Sequence, residues 1–181
     1  MLGQDNELSW KKFNIKLVAL LALTNYKRAA DIFTLDVRFC YAKEEEVVFK
    51  TMERPKQHRK RGTLPEPTVF KKSPDESLCP VKSLKAYLNL TRPVRIGDTN
   101  NKLLLSHQFP HKSITNDTIR RWLKTAISKA GVDVSVFQGH SIRSASSSAA
   151  QRRGASIPEI LASGGWGKAS VWQKNYNMEL A

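Results

Sequence analysis

Hydrophobic positions along the chain switch period several times, and each switch marks an element. From Leu8 to Thr24, Trp10, Phe13, Leu17, Ala19, Leu20, Leu21 and Leu23 recur at helical spacing and predict an inward-packed helix. Asn25-Tyr26 breaks it, and a short helix is expected over Lys27–Thr34. The period then becomes that of strands: Asp36–Tyr41 and Val47–Met52, joined by the charged turn Ala42-Lys43-Glu44-Glu45, with Val69-Phe70-Lys71 as a third. Cys79-Pro80-Val81 opens a helix with proline in its first turn, running to about Thr91, and 92–101 reads as loop. Thr115 or Asn116 caps a helix whose stripe is Ile119, Trp122, Leu123, Ala126, Ile127 and Ala130, and Gly131 ends it. Further helices are expected at His140–Arg153, lined with small residues from Ser144 to Ala150, from Ser156 to Gly164-Gly165, and from about Lys168 onward. The fold class is α+β, mainly helical, with a small three-stranded antiparallel sheet near the N-terminal third.

Composition narrows the setting. At 181 residues, 40% hydrophobic and 25% charged, the chain suits one domain with a proper core. No apolar run approaches the roughly 18 residues that span a bilayer, and Met-Leu-Gly-Gln-Asp-Asn-Glu lacks the basic start of a secretory signal. Cys40 and Cys79 have no metal or redox spacing and are expected to be reduced structural thiols in an intracellular protein. Thirty Lys and Arg against 16 Asp and Glu leave a net charge of +14, which predicts a polyanionic partner. Residues 50–72 hold eight of these cations, including Lys50, Arg54, Lys56, Arg59, Lys60 and Arg61, against Glu53 and Glu66, a net +6. Composition alone reads that stretch equally as a solvated loop, a nuclear-import segment or a nucleic-acid contact. A membrane surface is disfavoured, because no amphipathic helix sets basic residues opposite Trp, Phe and Leu.

Candidate chemistry concentrates in the last quarter. His140 and Arg143, three apart on a helix, share a face with about 5–6 Å between their Cβ atoms. Gly164-Gly165-Trp166 follows, and Tyr176 comes ten residues after the indole. Singly these are ordinary packing or surface residues. In this order they suit holding a phosphodiester while a phenol attacks it.

His140-Ser141-Ile142-Arg143, Gly154 and Ile160-Leu161-x-x-Gly164-Gly165-Trp166 resemble the catalytic domain of the tyrosine recombinases, the phage-integrase family. The resemblance extends over nearly the whole chain. Asn25-Tyr26-Lys27-Arg28-Ala29-Ala30-Asp31 is similar to the first-arginine motif, which makes Arg28 a catalytic arginine and Asp31 its supporting carboxylate. Glu53-Arg54-Pro55-Lys56-Gln57-His58-Arg59 resembles the turn that delivers the catalytic lysine, implying Lys56 with Lys50 as fallback. Leu78-Cys79-Pro80-Val81, and Trp166 where many members have His, resemble the eukaryotic transposon branch of DIRS, Ngaro and Crypton elements.

The implied chemistry accounts for each residue type. Arg28 and Arg143 would clamp the non-bridging oxygens with planar guanidinium forks. Tyr176 would be the nucleophile, with His140 as base or proton relay. Trp166 would donate its indole N–H to the phosphate, and Lys56 would protonate the departing 5′ oxygen. The implied product is a 3′-phosphotyrosyl link, formed without metal or cofactor. The implied partner is double-stranded DNA, expected to be contacted through Lys50, Arg54, Arg59, Lys60 and Arg61, with expected self-association into a tetramer on paired sites. The chain is expected to be this single domain, 1–181, without the N-terminal core-binding domain, and to sit in the nucleus if eukaryotic. Binding without cutting, and a topoisomerase of related chemistry, are the alternatives.

Overall fold

The computed structural model describes residues 8–51, 66–96, 100–137 and 139–177, with the backbone alone for 139 and 140. Helix α1 (Trp10–Asn25) runs through the centre, with α2 (Ala29–Phe33), α3 (Pro80–Thr91), α4 (Asn116–Lys129), α5 (Gly139–Arg152), α6 (Ile157–Gly164) and α7 (Ala169–Tyr176) around it. Strands β1 (Cys40–Ala42), β2 (Glu46–Phe49) and β3 (Thr68–Lys71) form one antiparallel sheet in that order. The mainly helical α+β class with a small sheet is therefore what the chain adopts.

Helix α1 is buried on nearly every side because α3, α4, α5 and β3 all pack against it. Leu17, Val18, Leu21 and Ala22 lose all contact with water. Leu23 does not follow its expected inward place: it is 46% exposed, on the lip of an apolar groove between α1, α4 and α5. In the sheet, Val47 and Phe49 of β2 and Phe70 of β3 face the core, Val47 opposite Phe70. Phe49 meets Phe70 edge to face at 6.1 Å, a favoured aromatic geometry.

Several boundaries moved for identifiable reasons. The strand expected over 36–41 begins only at Cys40, because Val37–Phe39 is a 3-10 turn. Its cause is Asp36, whose carboxylate accepts from the Arg38 backbone N–H and holds the Arg38 guanidinium at 2.8 Å; such local capping competes with strand pairing. β2 ends at Phe49, short of the expected Met52, which lies outside the described residues. α2 starts at Ala29 rather than Lys27, since Arg28 is extended and its N–H is held by the Asp31 carboxylate at 2.8 Å. The remaining caps follow the local chemistry. Thr115 Oγ1 accepts from Thr118 N–H at the start of α4, and Ser156 with Glu159 forms a reciprocal capping box at the start of α6.

Two apolar clusters result. The larger joins α1–α4 with the sheet; the smaller gathers Tyr26, Ile160, Trp166 and Trp172 under α5–α7. Among the described residues no helix is long and apolar enough to cross a membrane.

Candidate active site

The seam between those clusters is where the motif residues meet. Tyr26 ends α1 in the left-handed conformation, φ 51°, which turns the chain sharply and presents Lys27 and Arg28 before α2. Helix α5 supplies Arg143, the turn after α6 supplies Trp166, and the last turn of α7 supplies Tyr176. Docking of α7 depends on the small residues of α5. Ser147 and Ser148 are fully buried, Trp172 donates its indole N–H to Ser147 Oγ at 3.0 Å, and Ser148 Oγ donates to the Tyr176 carbonyl at 3.0 Å.

Arg28 Nη2 donates to the Tyr176 phenolic oxygen at 2.7 Å, across 148 residues of sequence. Arg143 is 2% exposed and fixed by backbone: Nη1 donates to the Tyr26 carbonyl and Nη2 to the Gly164 carbonyl at 2.7 Å. Its guanidinium carbon lies 3.8 Å from the Trp166 ring centroid and 5.4 Å from that of Tyr176, a doubled cation–π contact. The Trp166 and Tyr176 rings meet edge to face at 5.1 Å.

Asp31 contacts both arginines. Its Oδ2 accepts the Arg28 backbone N–H and lies 3.7 Å from Arg143 Nη1, so its charge faces the second arginine rather than the first guanidinium. Arg143 also differs from a free fork. Two of its five N–H groups are used on carbonyls, and Nε is buried with no hydrogen-bond partner among the described residues. Trp166 Nε1 is equally buried and unpartnered there. Orphaned buried donors of this kind are rare and call for an acceptor.

Charge in the site is under strain. Burial pulls the Arg143 guanidinium down to about 10, and Arg28 adds repulsion; Asp31 and the Tyr176 phenol oppose both. Burial also lowers Lys27, against the pull of Asp31 and with further repulsion from Arg143.

The glycine pair has two distinct reasons. A Cβ on Gly164 would sit 1.9 Å from Trp166 Cζ3, so the indole rests on bare backbone there. Gly165 takes φ 71° to close α6, a left-handed position that favours glycine.

Most of the other expected residues are not among the described ones. Lys56, Arg54, Arg59, Lys60 and Arg61 lie outside the described residues. His140 occupies the first turn of α5, and its imidazole lies outside the described residues as well. Lys50 is exposed just past β2, with Nζ 4.9 Å from the Tyr41 ring centroid. Sequence reasoning missed the Tyr26 and Gly164 carbonyls as anchors for Arg143, since a backbone acceptor leaves no side-chain signature.

No protein-family model matches the chain, and neither does any curated protein. Solved structures do. XerA recombinase superposes with a TM-score of 0.65 at 18% identity, over 93% of this chain and 58% of its own. XerH site-specific recombinase bound to difH substrate, a pre-cleavage complex, gives 0.66 at 12% identity over 92% of this chain and 44% of its own. The XerH post-cleavage complex on palindromic difH gives 0.65 at 14%, over 91% and 42%. The chain thus spans between 42% and 58% of the length of those proteins. At such identities the likeness establishes a fold shared with those recombinases.

Proposed function

We propose that this chain is a tyrosine-recombinase catalytic domain that cuts and rejoins double-stranded DNA through Tyr176. The observation that carries the reading is a phenolic oxygen held at 2.7 Å by one arginine, beside a second arginine and an indole whose buried Nε and Nε1 donors lack partners. A phosphodiester supplies the acceptors those donors lack, and the net charge of +14 suits its polymer.

In the proposed reaction the Tyr176 oxygen attacks phosphorus and the 5′ oxygen departs. The products are a 3′-phosphotyrosyl bond and a 5′-hydroxyl, and reversal onto another strand rejoins the DNA. Arg28, donating to the phenolic oxygen, stabilises negative charge there as the proton leaves, with His140 as the proposed acceptor. Arg143 Nε and Trp166 Nε1 are the proposed donors to the non-bridging oxygens, preorganised because Tyr26, Gly164 and Asp31 hold the guanidinium. Lys56, or Lys50, is the proposed acid for the leaving oxygen. A separate DNA-gripping domain, assembly as a tetramer on paired sites, a nuclear setting and the transposon branch belong to the same proposal. The partial coverage of the recombinase chains supports the first, and the rest follow from the family resemblance.

The test is covalent capture on nicked suicide duplexes carrying the element's terminal sequences. The parent forms an adduct and Tyr176→Phe forms none. An adduct that survives in Tyr176→Phe reassigns the nucleophile. Tight DNA binding without an adduct in the parent favours the binding-only alternative.

A further inference from the structure

Lys27 lies between Tyr26 and Arg28, the two residues that anchor the site, and the proposed reaction gives it no role. The carbonyl before it, at Tyr26, is taken by Arg143 Nη1, and the guanidinium after it, at Arg28, is bonded to the Tyr176 oxygen. Unlike exposed Lys50, Lys27 is partly withdrawn from water. Its electrostatic neighbours are Asp31 and Arg143, the groups that define the centre. Among the described residues its ammonium has neither a hydrogen bond nor an ion pair. Withdrawing an ammonium from water without a partner is costly, and a neighbouring guanidinium raises the cost. Nor does the site balance its own charge: among the described residues Asp31 is the one carboxylate that acts on Lys27 and Arg143, and Arg28 repels Arg143 as well. Three cations against one anion leave room for a bound negative charge.

We propose that Lys27 is a third cation of this site, whose ammonium binds a non-bridging oxygen of the scissile phosphodiester alongside Arg143 and Trp166. The assignment rests on the recombinase reading for the identity of the substrate, but its anion-binding part stands apart from it. Lys27 here stabilises charge and does not deliver the leaving-group proton, so it is distinct from Lys56 and Lys50. A lysine serves because it is a compact point charge, able to approach one oxygen while Arg143 stays fixed by its carbonyls.

The test has two arms on the full chain. In the first, inorganic phosphate is titrated while the lysine side-chain nitrogens are followed by NMR. Lys27→Met weakens phosphate binding roughly 10- to 100-fold, the loss of one hydrogen bond to a charged group, and Lys27→Arg keeps most of it. Unchanged phosphate affinity in a folded Lys27→Met protein overturns the proposal. In the second arm, adduct formation is timed on a phosphodiester and on a methylphosphonate, whose scissile linkage carries no charge. Lys27→Met slows the charged substrate by a similar factor and the neutral one by less than about threefold. Equal slowing on both marks a merely structural role and overturns the proposal. A parent that binds phosphate through Lys27 yet forms no adduct on either linkage defeats the recombinase reading and leaves the anion site standing.

Discussion

Replacing Gly164 with alanine tests the geometry at its tightest point. The added methyl would lie 1.9, 2.2 and 2.8 Å from Trp166 Cζ3, Cε3 and Cη2. Carbon atoms in contact sit about 3.5–4.0 Å apart, so the ring must retreat by roughly 1.6 Å or more. It has nowhere neutral to go. The Arg143 guanidinium lies 3.8 Å from its centroid, and the rings of Tyr176, Tyr26 and Trp172 follow at 5.1, 6.2 and 6.5 Å. Overpacking of this kind costs about 1–3 kcal/mol, which for a chain of this size lowers Tm by roughly 2–12 °C. A misplacement near 1 Å costs on the order of 10²-fold in rate, so adduct formation should fall further than stability explains. Two neighbours calibrate the result. Gly165→Ala adds a methyl with nothing within 4 Å but at φ 71°, and should lose about 1–2 kcal/mol with its rate nearly intact. Gly167→Ala meets nothing and carries no positive φ, and should match the parent in both. Thermal melts and single-turnover capture on suicide duplexes read these values. If Gly164→Ala melts and cuts like Gly167→Ala, the indole does not rest on that backbone, and the account of the site fails with it.

Ser147→Ala strips the acceptor from the fully buried Trp172 indole and should cost about 1–3 kcal/mol in a denaturant titration; a loss below a few tenths would show that α7 is not held through this bond. Trp166→Phe keeps an aromatic face for Arg143 but removes the unpartnered N–H, so capture should slow roughly 10- to 100-fold with duplex affinity unchanged. Parent-like capture would remove the indole from the phosphate. Burial pushes the Cys40 thiol up to about 11 from an ordinary 9.0. At pH 8 its thiolate is therefore about 100-fold scarcer, and disulfide-reagent labelling correspondingly slower, than in the denatured chain. Because the folded form holds this proton longer, the contribution to stability is complete below pH 9 and declines as pH rises from 9 towards 11. Labelling at the denatured rate would refute the burial.

What the sequence made legible was local chemistry that one residue can carry. Thr115, Ser156, Pro80 and Gly131 marked helix ends because a cap or breaker acts within four residues. The β2–β3 pairing followed from alternation at Val47, Phe49 and Phe70. Asp36 misled, since its hold on the Arg38 N–H is as local as strand propensity and outweighs it over three residues. At the site, Arg28, Arg143, Trp166 and Tyr176 were visible as a spaced set, and the structure brings them together. Their supports were not. The carbonyls that fix Arg143 are 117 and 21 residues away and belong to backbone, which any sequence possesses. Asp31 was read as a helper of Arg28, the residue just before α2; it holds the Arg28 N–H, and its charge also lies 3.7 Å from Arg143, a contact distant in sequence that spacing does not reveal.

The anchoring of Arg143 has a consequence for how the protein is made. One guanidinium ties residue 26 to residue 164, and the phenol follows twelve positions later. The seam between the two apolar clusters can therefore close only after residue 164 has left the ribosome, so this part of the fold is completed late.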